Sequence, residues 1–316
     1  MPRVLIALPL PEDLLARIAA TATPVMPQSG LFSSPAELKA LAPGLDGAVI
    51  TANTRIDASL LALAPRLRVV SNCAVGLDNI DLDACGDRVA VCNTPGVQDV
   101  AVAELAIALV MALARNLVSN DAYVRSGEWQ RKGGAPLGMD IRGKRLGLIG
   151  FGGIGRNTAR LARALGMEVV AFKPRGLPAD GFVSRNEVLA TSDFVSLHLP
   201  LTAATRGSMG ASDFARMKRG SFLINTARGA IIDEAALLAA LRSGHLAGAA
   251  LDVMAEEPMA PDHPLCALPN VILQPHAAGA TRETRRGMEE MAVANLLAAL
   301  ERRQPPVIVN PNAIEE

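Results

Sequence analysis

Three side chains in the last third of the chain have the types needed to reduce a carbonyl that stands beside a carboxylate: Arg228, Glu257 and His276. As hydride reaches such a carbonyl, negative charge gathers on its oxygen, which then needs a proton donor and a nearby cation. Histidine titrates near neutrality and can give that proton. A carboxylate beside it orients the imidazole and favours its protonated form. Arginine, with its forked donors, can hold the substrate carboxylate and polarise the keto oxygen. Each residue also has an ordinary reading: a surface ion pair or phosphate clamp for Arg228, a cap for Glu257, a structural histidine for His276. Their joint placement favours chemistry. Arg228 follows the apolar run Ser221–Asn225, Glu257 comes shortly after Gly248–Val253, and His276 follows Val271–Gln274. If these runs are parallel strands, all three side chains emerge at the edge of the sheet where ligands bind.

The same sheet carries a nucleotide signature. Arg145–Ile149 reads as a strand, Gly150-Phe-Gly152-Gly153-Ile154-Gly155 as a turn, and Arg156–Leu165 as a helix. A lone GxGxxG is weak, but between strand and helix it is the dinucleotide fingerprint. Gly150 permits the tight turn, Gly152 lets backbone approach a pyrophosphate, and Gly155 lets the helix pack on the strand. The free N–H groups at the helix start receive the phosphates. In an NAD site the next strand, Glu168–Phe172, would end in a carboxylate for the ribose hydroxyls. Here it runs into Lys173-Pro174-Arg175. Two cations suit a 2′-phosphate, so NADP is the favoured cofactor, with NAD left open.

Short β-rich runs alternate with helical ones on both sides of this motif, which predicts an α/β fold of two doubly wound parallel sheets. Strands are expected at Val4–Leu8, Ala48–Thr51, Arg68–Cys73 and Val89–Asn93, and again at Phe194–Leu199. A helix from about Val100 to Leu117, apolar nearly all round, should be buried between layers, domains or subunits. A final helix spans about Arg282 to Arg302, and Val307–Val309 could return to the first sheet.

The 31 basic and 31 acidic residues balance, and aromatics are only 3 % of the 316 residues, so neither a nucleic acid nor another polyanion is an expected partner. No apolar stretch is long enough to span a bilayer, and the N-terminal run is too short for a signal peptide, so a cytoplasmic protein is expected. The four cysteines share no metal-ligand spacing with the four histidines; no metal site is expected, and the thiols read as buried and free. His198 is placed in the cofactor cleft, His245 and His263 in solvated loops.

Four segments together resemble the D-isomer-specific 2-hydroxyacid dehydrogenases over nearly the full length: Val75-Gly-Leu-Asp-Asn-Ile-Asp81, Gly150–Gly155, Asn225-Thr-Ala-Arg-Gly229, and Asp252-Val253 through Glu257-Pro258 to Pro275-His276. The resemblance implies a Rossmann cofactor domain over 98–285 and a flavodoxin-like substrate domain from 1–97 with 286–316, with the active site in the cleft. It implies that Arg228 binds the substrate carboxylate, that His276 is the general acid/base partnered by Glu257, and that the amides of Val75 and Gly76 also hold that carboxylate. Pro200, Thr205, Thr226, Ala227, Asp252 and His276 are the further cofactor contacts it implies. It also implies a homodimer formed through the cofactor domains, with Trp129 closing a neighbour's pocket or simply packing. Asn72–Asp81 and Ser126–Trp129 look most like the glyoxylate/hydroxypyruvate reductase branch, while Ala74 stands where many relatives have glycine. A small 2-keto or 2-hydroxy acid is the expected substrate. Larger aryl or sugar acids, or a non-catalytic nucleotide-sensing role, are the alternatives.

Overall fold

The computed structural model describes residues 1–28, 34–174 and 181–314. The chain divides into two compact units, Met1–Val97 with Arg282–Glu316, and Gln98–Thr281.

The first unit is built on five parallel strands: β1 (Arg3–Ile6), β2 (Thr23–Val25), β3 (Gly47–Ile50), β4 (Val69–Asn72) and β5 (Ala90–Cys92). Their order, β2-β1-β3-β4-β5, is the flavodoxin-like arrangement. Every residue of β3, β4 and β5 is buried, because helices cover both faces; this is why these runs are apolar without alternation. Arg282–Leu300 is the C-terminal helix and belongs to this unit, where the Ser71 hydroxyl donates to the Ala292 carbonyl at 2.8 Å. β2 has no signal in the sequence, being three residues long with Pro24 at its centre, which suits an edge strand. Val307–Val309 does not become a strand. Val309 donates to Val91 at 2.7 Å, but the Val91 N–H is taken by the Asn310 side chain, which ends any ladder there.

Six parallel strands form the second sheet: β6 (Arg145–Ile149), β7 (Glu168–Phe172), β8 (Phe194–Leu197), β9 (Phe222–Asn225), β10 (Gly248–Leu251) and β11 (Val271–Leu273). The order is β11-β10-β9-β8-β6-β7. Chain direction across the sheet reverses between β6 and β8, so a crevice opens beyond their carboxyl ends. β6, β8 and β9 stack their apolar side chains into cores on both faces, with Phe194 and Phe222 rings 5.1 Å apart.

The helix expected to reach Leu117 stops at Ala114, because Asn116 adopts a left-handed backbone (φ +53°). A second helix, Leu117–Arg125, leaves at 57° to the first. Most of Asp99–Ala114 is buried in the second unit, but Val100, Glu104, Ala108 and Met111 form an exposed stripe. Leu117, Val118, Val124 and Trp129 continue the exposed apolar surface. Among the described residues no single helix is long and apolar enough to cross a membrane; the bent pair qualifies only by combined length and composition. All four cysteines are free, and Cys266 corrects the expectation of buried thiols by standing exposed.

Candidate active site

β6 ends in a turn at Gly150, whose φ of +102° is open to glycine and strained for other residues. A Cβ here would also lie 2.3 Å from the His198 carbonyl oxygen, so the turn passes tightly against the end of β8. Gly152 precedes the helix Gly153–Ala164 and has nothing within 4 Å of where a Cβ would stand. That open face is what a pyrophosphate requires. Arg156 is bonded back to the Gly152 carbonyl at 3.0 Å, which leaves the amides of Gly153, Ile154 and Gly155 ahead of the first helical bond. At Gly155 a Cβ would fall 2.6 Å from the Gly150 carbonyl, so glycine alone lets helix and turn approach. Asp99, which sequence reasoning passed over, lies with its carboxylate directly against Gly153.

Around this turn, other strand ends supply the expected cofactor contacts. Lys173 is exposed just beyond β7, its Nζ 5.8 Å from the centre of the Phe182 ring. No carboxylate stands at that strand end, and Arg175 lies outside the described residues. After β8, the Thr205 hydroxyl donates to the Pro200 carbonyl at 2.7 Å and accepts the Thr202 amide at 2.8 Å, so it shapes its own loop. His198 is half-buried, and desolvation pulls its pKa down to about 4. It is therefore a neutral ring, 3.0 Å from the Ser196 hydroxyl. After β9, Thr226 is buried with a hydroxyl that has no hydrogen-bond partner among the described residues. An orphaned buried hydroxyl and an open glycine turn at the same edge of the sheet fit a polar ligand, and a dinucleotide matches both features.

The catalytic candidates converge on the ends of β9, β10 and β11. Asn225 shapes the first turn: its side chain accepts the Ala227 amide at 3.0 Å and donates to the Arg228 carbonyl at 2.9 Å. Arg228 is half-buried, with Nη1 donating to the Ala227 carbonyl at 2.9 Å. Asp252, fully buried just past β10, accepts the amides of Ala277 and Ala278 at 2.7 and 2.9 Å. Burial raises its pKa. Its carbonyl also accepts the His276 amide at 2.8 Å, so Asp252 fixes the loop on which the histidine sits. His276 has φ +54°, a rare conformation for a side chain of this size that costs about 1 kcal/mol or more. The three bonds to Asp252 hold it there.

The His276 ring closes the arrangement. Its Nδ1 lies 2.7 Å from Glu257 Oε2, which leaves Nε2 without a partner among the described residues. The hydrogen bond to Glu257 raises the histidine pKa, against the effects of burial and of Arg228. Burial works against the charge on Glu257, but His276, the Met254 amide and Arg228 outweigh it and hold the carboxyl below its usual range. Both shifts favour the imidazolium–carboxylate form of the pair. His263 departs from the expected solvated loop, since its Nε2 lies 3.5 Å from Glu234. His245, too, is held, with Nε2 2.9 Å from the Met217 carbonyl.

In the first unit, Val75 and Gly76 occupy the loop after β4. Asn93 donates to the Val75 carbonyl at 2.9 Å and Asn72 to the Gly76 carbonyl at 2.8 Å. Asn79 in turn donates to the carbonyls of Thr51 and Thr54 at 3.1 and 2.9 Å. The amides of Val75 and Gly76 have no acceptor among the described residues. A loop with its carbonyls tied back and its N–H groups free has the chemistry to receive an anion. Sequence reasoning quoted these asparagines within motifs and missed their work.

Comparison with known proteins follows the same lines. Residues 107–278 match the family described as D-isomer specific 2-hydroxyacid dehydrogenase, NAD binding domain. A glyoxylate reductase from Aeropyrum pernix is 46% identical over 83% of this chain and 82% of its own length. An (S)-sulfolactate dehydrogenase from Chromohalobacter salexigens is 43% identical over 88% of this chain and 90% of its own. Among solved structures, an NADPH-dependent glyoxylate/hydroxypyruvate reductase from Sinorhizobium meliloti, in complex with NADP and malonate, superposes with a TM-score of 0.87. It is 31% identical, with 98% of each chain covered.

The Glu257–His276 bond makes a direct prediction. Glu257→Gln should lower the His276 pKa towards the ordinary histidine range, read from imidazole resonances in an NMR titration. An unchanged His276 titration would show that Glu257 does not set its protonation.

Proposed function

The chain belongs to the D-isomer-specific 2-hydroxyacid dehydrogenase family, and on that footing we propose that it reduces a small 2-keto acid of the glyoxylate type to the D-2-hydroxy acid, with NADPH as reductant. The observation that carries this reading is the 2.7 Å bond between His276 and Glu257, on the same sheet as the glycine turn. A reduced nicotinamide, held by Gly150–Gly155 and Thr226, supplies a hydride to the carbonyl carbon when bound. His276 gives its Nε2 proton to the oxygen on which charge develops, since Nδ1 is committed to Glu257. Arg228 pairs with the substrate carboxylate and polarises the keto oxygen. In the first unit, the free amides of Val75 and Gly76 are suited to a carboxylate. Because imidazolium is the acid, reduction runs below the raised His276 pKa and fades as pH climbs through it.

Arg228, Glu257 and His276 are all present, which weighs against a purely nucleotide-sensing protein. The Aeropyrum and Sinorhizobium relatives support glyoxylate-type substrates, and the Chromohalobacter relative makes a sulfonate-bearing keto acid worth including in assays, beside larger aryl and sugar acids. For the cofactor, Lys173 with Arg175 favours NADPH, and the absence of a carboxylate after β7 supports that choice.

The test is a panel of 2-keto acids assayed with both cofactors. Glyoxylate or hydroxypyruvate should be preferred, and His276→Ala and Arg228→Ala should each lose roughly a hundredfold or more in turnover. NADPH should outperform NADH by about tenfold or more, in line with one charge-assisted bond, and Lys173→Ala should erode that preference. Near wild-type turnover in either catalytic variant, or a clear NADH preference, would refute the corresponding assignment. The exposed apolar surface from Val100 to Trp129 supports a homodimer in which Trp129 meets the other subunit. Light scattering should give twice the chain mass, and a Met111→Glu, Val118→Glu variant should run as a monomer. A monomeric wild type would rule the homodimer out.

A further inference from the structure

We propose that Glu234 is a positioning residue for the His276–Glu257 pair, holding both ends of the loop that carries Glu257; this rests on the reading of that pair as the acid/base machinery. Glu234 opens the helix Glu234–Arg242, but the helix does not use its carboxylate as a cap. Asp233 takes that part by accepting the Ala236 amide at 3.1 Å. The Glu234 carboxylate reaches instead to the segment that follows β10. Its Oε1 accepts the Ala255 amide at 2.9 Å, and its Oε2 lies 3.5 Å from His263 Nε2. His263 Nδ1 accepts the Leu265 amide at 3.3 Å, which puts the ring proton on Nε2, facing Glu234. Ala255 and His263 bracket Glu257. One carboxylate therefore clasps the loop before and after the residue that orients the acid.

The near end of the loop is fixed with particular care. Two successive amides, those of Met254 and Ala255, donate at 2.9 Å to two different carboxylates, Glu257 and Glu234. Beneath them runs Gly229, where a Cβ would fall 1.9 Å from the Met254 carbonyl carbon. The backbone that follows Arg228 is thus pressed against the point that Glu234 holds. The Glu234 and His263 side chains are only 21% and 25% exposed, so the carboxylate that joins the two contacts is largely withdrawn from water, while Ala255 stands at the surface. The charges that face His276 are Glu257, Arg228 and Asp252. Glu234 acts through the loop that holds the first of them. Without it the Ala255 amide loses its acceptor, the loop gains freedom, and the short bond from Glu257 to His276 loosens.

The test uses the whole chain and begins without substrate. In an NMR titration, Glu234→Ala should lower the His276 pKa towards the ordinary histidine range, while Glu234→Gln, which keeps an acceptor for Ala255, should leave it near wild type. In assays, Glu234→Ala should lower kcat by roughly ten- to a hundredfold with KM values changed by less than about threefold. In a Glu257→Gln background the same substitution should cost almost nothing more, because the bond it protects is already gone. An unchanged His276 titration in Glu234→Ala overturns the proposal. So does an equal fold-loss of kcat with and without Glu257. If Glu234→Ala does not fold, His263→Ala removes one of the two anchors; it should lower the His276 pKa by a smaller amount, and no change there overturns the proposal. A shifted titration in a chain that reduces no 2-keto acid would sink the proposed reaction and leave the role of Glu234 standing.

Discussion

Glu257 Oε2 lies 2.7 Å from His276 Nδ1, and much of the site exists to keep it there. The bond settles which ring nitrogen is free, raises the histidine pKa and keeps the carboxyl ionised. Neither partner sits on a strand. Glu257 rides a loop held by its own bond to Met254 and by Glu234, and His276 occupies a left-handed backbone held by Asp252. The strain at His276 is tolerated because the buried carboxylate of Asp252 over-determines the turn with two amide bonds, and its carbonyl adds a third.

Parallel topology explains why these loops meet. β9, β10 and β11 are neighbours and run the same way, so the segments after Asn225, Leu251 and Leu273 all leave at one edge. β6 and its glycine turn use that edge too, across the reversal in strand order. A dinucleotide and a small acid handled by such a sheet come together without any residue needing a long reach. The first unit, taken by itself, has a different device. Its asparagines bind carbonyls and so turn the loop of Val75 and Gly76 into a source of free N–H groups.

Much of this was legible in the residues alone. Apolar runs such as Leu146–Ile149 and Gly248–Leu251 are buried on both faces and announce parallel strands. GxGxxG between strand and helix names its own geometry, and the alternation of elements predicts parallel α/β sheets, while the flavodoxin-like and Rossmann types came with the family resemblance. What stayed hidden was tertiary in origin. β2 is too short and too proline-rich to carry a pattern, and the break at Asn116 depends on one left-handed residue inside an apolar run. Glu234 and His263 are far apart in sequence and carry no motif, so only the fold reveals that they pair. Asp252 was read as a cofactor contact, and what the sequence did not show is that its carboxylate oxygens also accept the amides of Ala277 and Ala278.

The most direct measurement is the single-turnover rate of NADPH oxidation by glyoxylate, followed against pH in the wild type and in His276→Ala. If His276 is the proton donor, the wild-type rate is level at low pH and falls through one ionisation above the ordinary histidine range. The variant should lose both the rate and that ionisation. A variant that kept the same alkaline fall would place the proton donor elsewhere and contradict the assignment of His276.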